Sequence, residues 1–228
     1  PKDYLQVLFD ALLFKDVVKR HKVKFSTKVS VLGSHLINNF ASLYTTRKLL
    51  DILDLKSATT TEKYINYLEE AYLIFSISRY SHQSSYRIKS PRKVYAVDNG
   101  FVTAKAIQHS PDRGKLMENL VFMELVKRGF EPERELFYYK TRNNREIDFV
   151  VKKEIEVLGL YQVCYESVNQ AVEDREAKAL IEASGELKTD NLTVLTWDEE
   201  REIKRNGKTI QFKPLWKWLL ESKSGINT

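Results

Sequence analysis

One cysteine, Cys164, stands in 228 residues, so no disulfide can form within the chain and a reducing compartment, the cytoplasm, is expected. No apolar run approaches the roughly 20 residues that a membrane-spanning helix needs. The opening residues do not read as a secretory leader. The first residue is Pro1 rather than Met, in mid-pattern, as expected of a piece of a longer protein. No Gly-x₄-Gly-Lys-Ser/Thr loop occurs. Its nearest approach, "NGKT" (206–209), has Glu202 where the first glycine must stand and sits in a hairpin pattern. ATP hydrolysis is therefore not expected of these residues. The four histidines, His21, His35, His82 and His109, have no zinc-ligand spacing. No internal repeat is visible.

Acid is also missing locally. Between Ala71 and Val97 there is no Asp or Glu, while Arg79, Arg87, Lys89, Arg92 and Lys93 fall there with Tyr80 and Tyr86 between them. Residues 1–110 hold 17 Lys/Arg against 9 Asp/Glu, a surplus of +8; the remaining 118 hold 20 against 22, or −2. A basic half beside a slightly acidic one suggests nucleic-acid contact in the first, although a solvated basic surface would look the same.

Apolar spacing predicts helices over 4–25, 26–41, 46–53 and 57–72, the last with Thr59 and Glu62 as a capping box. Strand-like 73–80 and 92–98 then flank a polar, serine-rich loop. Three helices and a two-stranded ribbon are the order of a winged helix. In that reading Lys63 on the third helix and the basic loop would meet phosphates, whereas Glu69 and Glu70 at the end of that helix would repel them. From Gly114 the order is helix (115–129), strands 135–141, 145–153 and 155–166, helix 170–185, strand 191–198, a hairpin about Asn206–Gly207 and a helix over 214–222. This is an α/β pattern with a mixed sheet.

Within it, Asp148 lies mid-strand in "NNREIDFVV" (143–151), and "YQVCYE" (161–166) carries a polar residue in the next strand. Strand alternation puts Glu146 and Asp148 on one face, and Gln162 and Cys164 on one face of theirs. If the strands pair, Asp148 and Gln162 converge, and Glu118 projects from the preceding helix.

This order resembles the PD-(D/E)XK, or restriction-endonuclease-like, fold. The segments "FKDVVKRHKV" (14–23), "RKVYAVDNGFV" (92–102), "GKLMENLVFMEL" (114–125), "REIDFVV", "YQVCYE", "REAKAL" (175–180) and "PLWKWLL" (214–220) together resemble the C-terminal region of a family of prokaryotic AAA-type ATPases. The resemblance runs over nearly the whole chain. It implies a linker helix over 1–25 trailing a missing ATP-binding module, a winged helix over 26–98, a linker over 99–113 and a nuclease-like domain over 114–228. It implies ATP only in the missing module, and a Mg²⁺ site at Glu118, Asp148 and Gln162, with weak or absent metal binding. The lysine that such a site uses should stand at 164, which is Cys; Lys178 or Lys140 are possible substitutes. A thiol is a poor partner for Mg²⁺ and carries no positive charge. The expected function is a DNA-associated accessory region with an inactive or repurposed nuclease-like domain and a possible homo-oligomer. The alternatives are an active Mg²⁺-dependent endonuclease and a protein-interaction module of the ATPase.

Overall fold

The computed structural model describes residues 2–81, 83–105, 112–166 and 169–221. His82, His109, part of the expected 99–113 linker and the residues beyond 221 lie outside these. The chain divides into two compact units, Pro1–Ser76 with Ser90–Leu120, and Ile77–Lys89 with Val121–Thr228.

In the first unit, α1 (Lys2–Leu12) runs into a π-helical segment, Leu13–Lys19, and is followed by α2 (Ser26–Asn38), α3 (Thr46–Leu53) and α4 (Ala58–Glu70). These helices form because apolar residues recur on one stripe. Phe9, Val17, Leu32, Ile37 and Ile65 are all fully buried. The expected linker at 1–25 is thus part of a packed core, with Phe9 meeting Phe101 edge-on at 5.7 Å. Phe101 belongs to α6 (Asn99–Lys105), a helix where a linker was expected. The cap of α4 is Ser57, whose hydroxyl accepts from the Thr60 N–H at 3.4 Å, and not the expected Thr59. Glu62 instead accepts from the Thr46 hydroxyl. A short strand unforeseen in the sequence, β1 (Ser42–Tyr44), joins β2 (Ile74–Ile77) and β3 (Arg92–Ala96) in a sheet of order β1-β3-β2, with β1 antiparallel to β3.

The loop before β3 holds another unforeseen element, the short helix α5 (Ser84–Lys89), which packs in the second unit. That unit also contains β4 (Leu136–Lys140), β5 (Glu146–Lys153), β6 (Glu156–Cys164), α8 (Gln170–Leu187), β7 (Leu192–Thr196), β8 (Arg201–Arg205), β9 (Lys208–Pro214) and α9 (Leu215–Leu220). The boundary between units falls inside α7 (Arg113–Lys127), which ends where Gly129 takes a φ of +101°. The six strands form one mixed sheet, order β4-β5-β6-β7-β9-β8. Strands β4, β5 and β6 are antiparallel, β6, β7 and β9 parallel, and β9 and β8 antiparallel. The β8–β9 turn is made by Asn206 and Gly207, both at positive φ, as a tight hairpin of this type requires. Helix α8 lays Val172, Ala179, Leu180 and Ala183 into the core beside Val150, Leu160 and Val194. Among the described residues no helix is long and apolar enough to cross a membrane.

Candidate functional site

The β5–β6 ladder runs from Lys153–Glu156 to Phe149–Tyr161. One step further, side chains take over from backbone. The Asp148 N–H donates to Gln162 Oε1 at 3.1 Å, Gln162 Nε2 donates to the Glu146 carbonyl at 3.3 Å, and the Val163 N–H donates to Asp148 Oδ2 at 3.0 Å. Both ends of the Gln162 amide and one oxygen of Asp148 therefore splice two strands at the point where they part. The convergence expected from strand alternation is present, and these three bonds help to hold it.

A second acid side chain joins Asp148 and Gln162 here. Glu176 on α8 is only 4% exposed. Arg175 Nε donates to it at 2.7 Å, and it interacts with Asp148 and Gln162. Burial raises its pKa above 4.5, the Asp148 charge adds to the rise, and Arg175 and Gln162 oppose it. Sequence reading missed Glu176 by treating 170–185 as a helix without asking which polar residues share its apolar stripe. The spacing 172, 176, 180, 183 was the available signal.

Cys164, at the place of the expected lysine, is buried, and its Sγ lies 3.6 Å from the Glu166 carbonyl. Lys178 faces solvent near Asp174, and Lys140 lies 3.6 Å from Glu146. The cation beside Glu176 is Arg175, whose own side chain is largely exposed.

Glu118 belongs to the first unit, where Lys93 Nζ lies 2.9 Å from its Oε1 and the Tyr95 hydroxyl donates to the same oxygen at 2.7 Å. Mg²⁺ takes a nearly rigid octahedral shell of oxygens. One oxygen of each residue proposed from the sequence, Glu118 Oε1, Asp148 Oδ2 and Gln162 Oε1, accepts a hydrogen bond from the protein itself. Among the described residues no group of three or more His, Cys, Asp or Glu is arranged to hold a metal.

The basic residues separate by environment. Lys93 is 3% exposed and ion-paired, which corrects its assignment as a phosphate contact: a sequestered ammonium cannot reach a polyanion. Arg92 reaches Glu69 at 3.3 Å and Glu62 at 4.0 Å. Arg79 donates to the Lys140 carbonyl at 2.5 Å, and Arg87 lies over the Phe137 ring at 5.8 Å. Lys63 and Lys89 are exposed. Glu69 and Glu70, expected to repel phosphate, are both beside cationic or protonatable partners, since His21 Nε2 lies 3.3 Å from Glu70.

Residues 2–112 match a family model described as a domain of unknown function, DUF8612, and residues 113–218 another, DUF4143. An uncharacterized protein of Methanocaldococcus jannaschii is 35% identical over 229 residues, covering 96% of this chain and 50% of its own length. An uncharacterized protein of Haemophilus influenzae is 26% identical over 166 residues, covering 71% of this chain and 40% of its own. The chain spans half or less of the length of these curated relatives. No solved structure matches it significantly. The sequence division between DUF8612 and DUF4143, at 112/113, is not the division by packing, which assigns 77–89 to the second unit and 113–120 to the first.

The Glu176 environment has a measurable consequence. With its folded pKa raised, the folded state holds this proton to higher pH than the unfolded chain does. The stability it contributes is complete below about pH 4.5 and is lost as pH rises through the elevated folded value. Glu176→Gln should remove that loss, so the variant gains on the unmodified protein as pH rises. A difference between their unfolding free energies that stays constant from about pH 4 to about pH 8 would contradict the assignment.

Proposed function

We propose that this chain is a nucleic-acid-associated accessory region of a larger AAA-type ATPase, combining a winged helix with a restriction-endonuclease-like domain that does not cleave. The observation that carries the reading is in the first unit. Strand β1 precedes helices α3 and α4, strands β2 and β3 follow them, the three strands form a small sheet ordered β1-β3-β2, and α4 turns Thr59, Lys63 and Asn66 to solvent at spacings of four and three. That stripe offers one cation and two hydrogen-bonding side chains on a helix face, the composition that a groove-facing helix uses. In the second unit, antiparallel β5–β6 with Asp148 opposite Gln162, followed by a helix and a parallel strand, supports a nuclease-like scaffold. The engaged Gln162 amide and the buried thiol at 164 support loss of cleavage.

The test is duplex DNA binding over a range of salt, with and without Mg²⁺ or Mn²⁺. Lys63→Ala should weaken affinity at every sequence tried and lower the salt slope by about 1. An unchanged slope would favour the interaction-module reading. Metal-dependent strand scission by the unmodified chain, abolished by Asp148→Asn, would replace the proposal with an endonuclease.

A further inference from the structure

The second unit contains an open cleft of about 600 Å³, within the ~300–1,000 Å³ range of small-ligand sites. Its walls come from the segment around α5, the end of β4 with the turn that follows, and the end of α8. Three cations face it, Arg79, Lys140 and Arg142, against one carboxylate, Glu186. That carboxylate accepts from the Tyr139 hydroxyl at 2.5 Å and from the Arg142 N–H at 3.1 Å, so its charge is directed into the wall. The lining thus carries more cations than carboxylates, with Lys140 also 3.6 Å from Glu146 outside it.

Aromatic surface is arranged around one of the cations. The Arg79 guanidinium lies 5.3 Å from the Tyr86 ring centre and 6.0 Å from that of Tyr139, and its bond to the Lys140 carbonyl fixes it there. Tyr86 is 52% exposed on α5, so part of its ring is open to a ligand. Exposed amides, Gln83 and Asn144, stand at the rim. A planar cation, an open ring and amides that donate and accept form a set suited to an unpaired base with its phosphate. A base inside a duplex hides its faces and cannot use the ring.

We infer that this cleft takes one nucleotide of a single-stranded nucleic acid, with the base against Tyr86 and the phosphate met by Arg142. The inference rests on the nucleic-acid reading above and adds the strandedness of the ligand and the place where it is sensed. Arg79 is the positioning residue. Its guanidinium holds the rings and the β4 backbone together, so its replacement would disturb the wall itself.

Binding of a short fluorescent oligothymidylate, and of a duplex of equal length, to the 228-residue chain provides the test. Tyr86→Ala and Arg142→Gln alter exposed side chains, and an unchanged melting temperature checks that each variant is folded. Tyr86→Ala should weaken the single strand about fivefold or more while leaving the duplex unchanged, because stacking is lost. Arg142→Gln should lower the salt slope for the single strand by about 1. Equal losses on both ligands, or no loss on the single strand, would overturn the cleft as a base site. If the unmodified chain binds duplex in a salt-dependent way and no single strand, the cleft fails and the accessory-region reading stands. If it binds neither, both fail.

Discussion

Glu118→Ala is expected to destabilise the first unit by about 3–5 kcal/mol, the range for breaking a buried ion pair from one side. The Lys93 side chain on β3 is almost wholly enclosed, and its ammonium lies 2.9 Å from Glu118. Removing the carboxylate takes a close counter-charge from that buried ammonium and an acceptor from the Tyr95 hydroxyl. Glu118→Gln keeps an oxygen for Tyr95 but not the charge, so its loss should be intermediate. Replacing both partners, Lys93→Met with Glu118→Leu, should recover much of the stability, because an apolar pair of similar volume removes two desolvation costs at once. Urea unfolding followed by circular dichroism measures all three. A loss below about 1 kcal/mol for Glu118→Ala would mean the pair behaves as a solvated one.

Native Cys164 should react with iodoacetamide at least about 100-fold more slowly than the same residue in urea. Its thiol is pushed up from 9.0 to about 11, chiefly by burial, then by the Glu176 charge, with Arg175 opposing. A shift of that size lowers the thiolate fraction at neutral pH about 100-fold, and only the thiolate attacks. The side chain is 3% exposed, so access adds to the effect. As the one cysteine of the chain it gives an unambiguous readout by mass spectrometry. A native rate within about tenfold of the unfolded rate would show that the β6–α8 region opens readily, and that the cluster around Glu176 is not the closed core described.

Local chemistry made much of the second unit legible. Asn206–Gly207 announces its own turn, and the alternation in 145–153 and 155–166 specifies a paired, half-polar hairpin that the structure contains. Helices α3 and α8 follow from apolar spacing. The misses have a common physical origin, which is that their cause lies far away in sequence. Strand β1 is three residues long and exists because β3, some 50 positions later, offers it partners. Lys93 looks like a surface cation until Glu118, on another element, is placed beside it. Glu176 is an ordinary helix acid in sequence and becomes a site residue only when α8 turns it toward Asp148 and Gln162. The pairing of Asp148 with Gln162 could be anticipated. That their polar atoms would be spent on backbone groups could not, because strand alternation gives direction and not hydrogen-bond partners.

The segment just before α5 protects an edge of the sheet. The Tyr80 N–H donates to the Tyr138 carbonyl at 2.7 Å and the Tyr138 N–H to the Ser78 carbonyl at 3.2 Å, so a piece of chain from the DUF8612 region runs along the open side of β4. A bare outer strand is a template for unwanted association between molecules. DUF4143, cut at residue 113, would leave that side of β4 uncovered. A fragment beginning at residue 113 is therefore expected to associate more readily than one that keeps residues 77–89. The boundary between the two matched regions is thus not a boundary of backbone pairing.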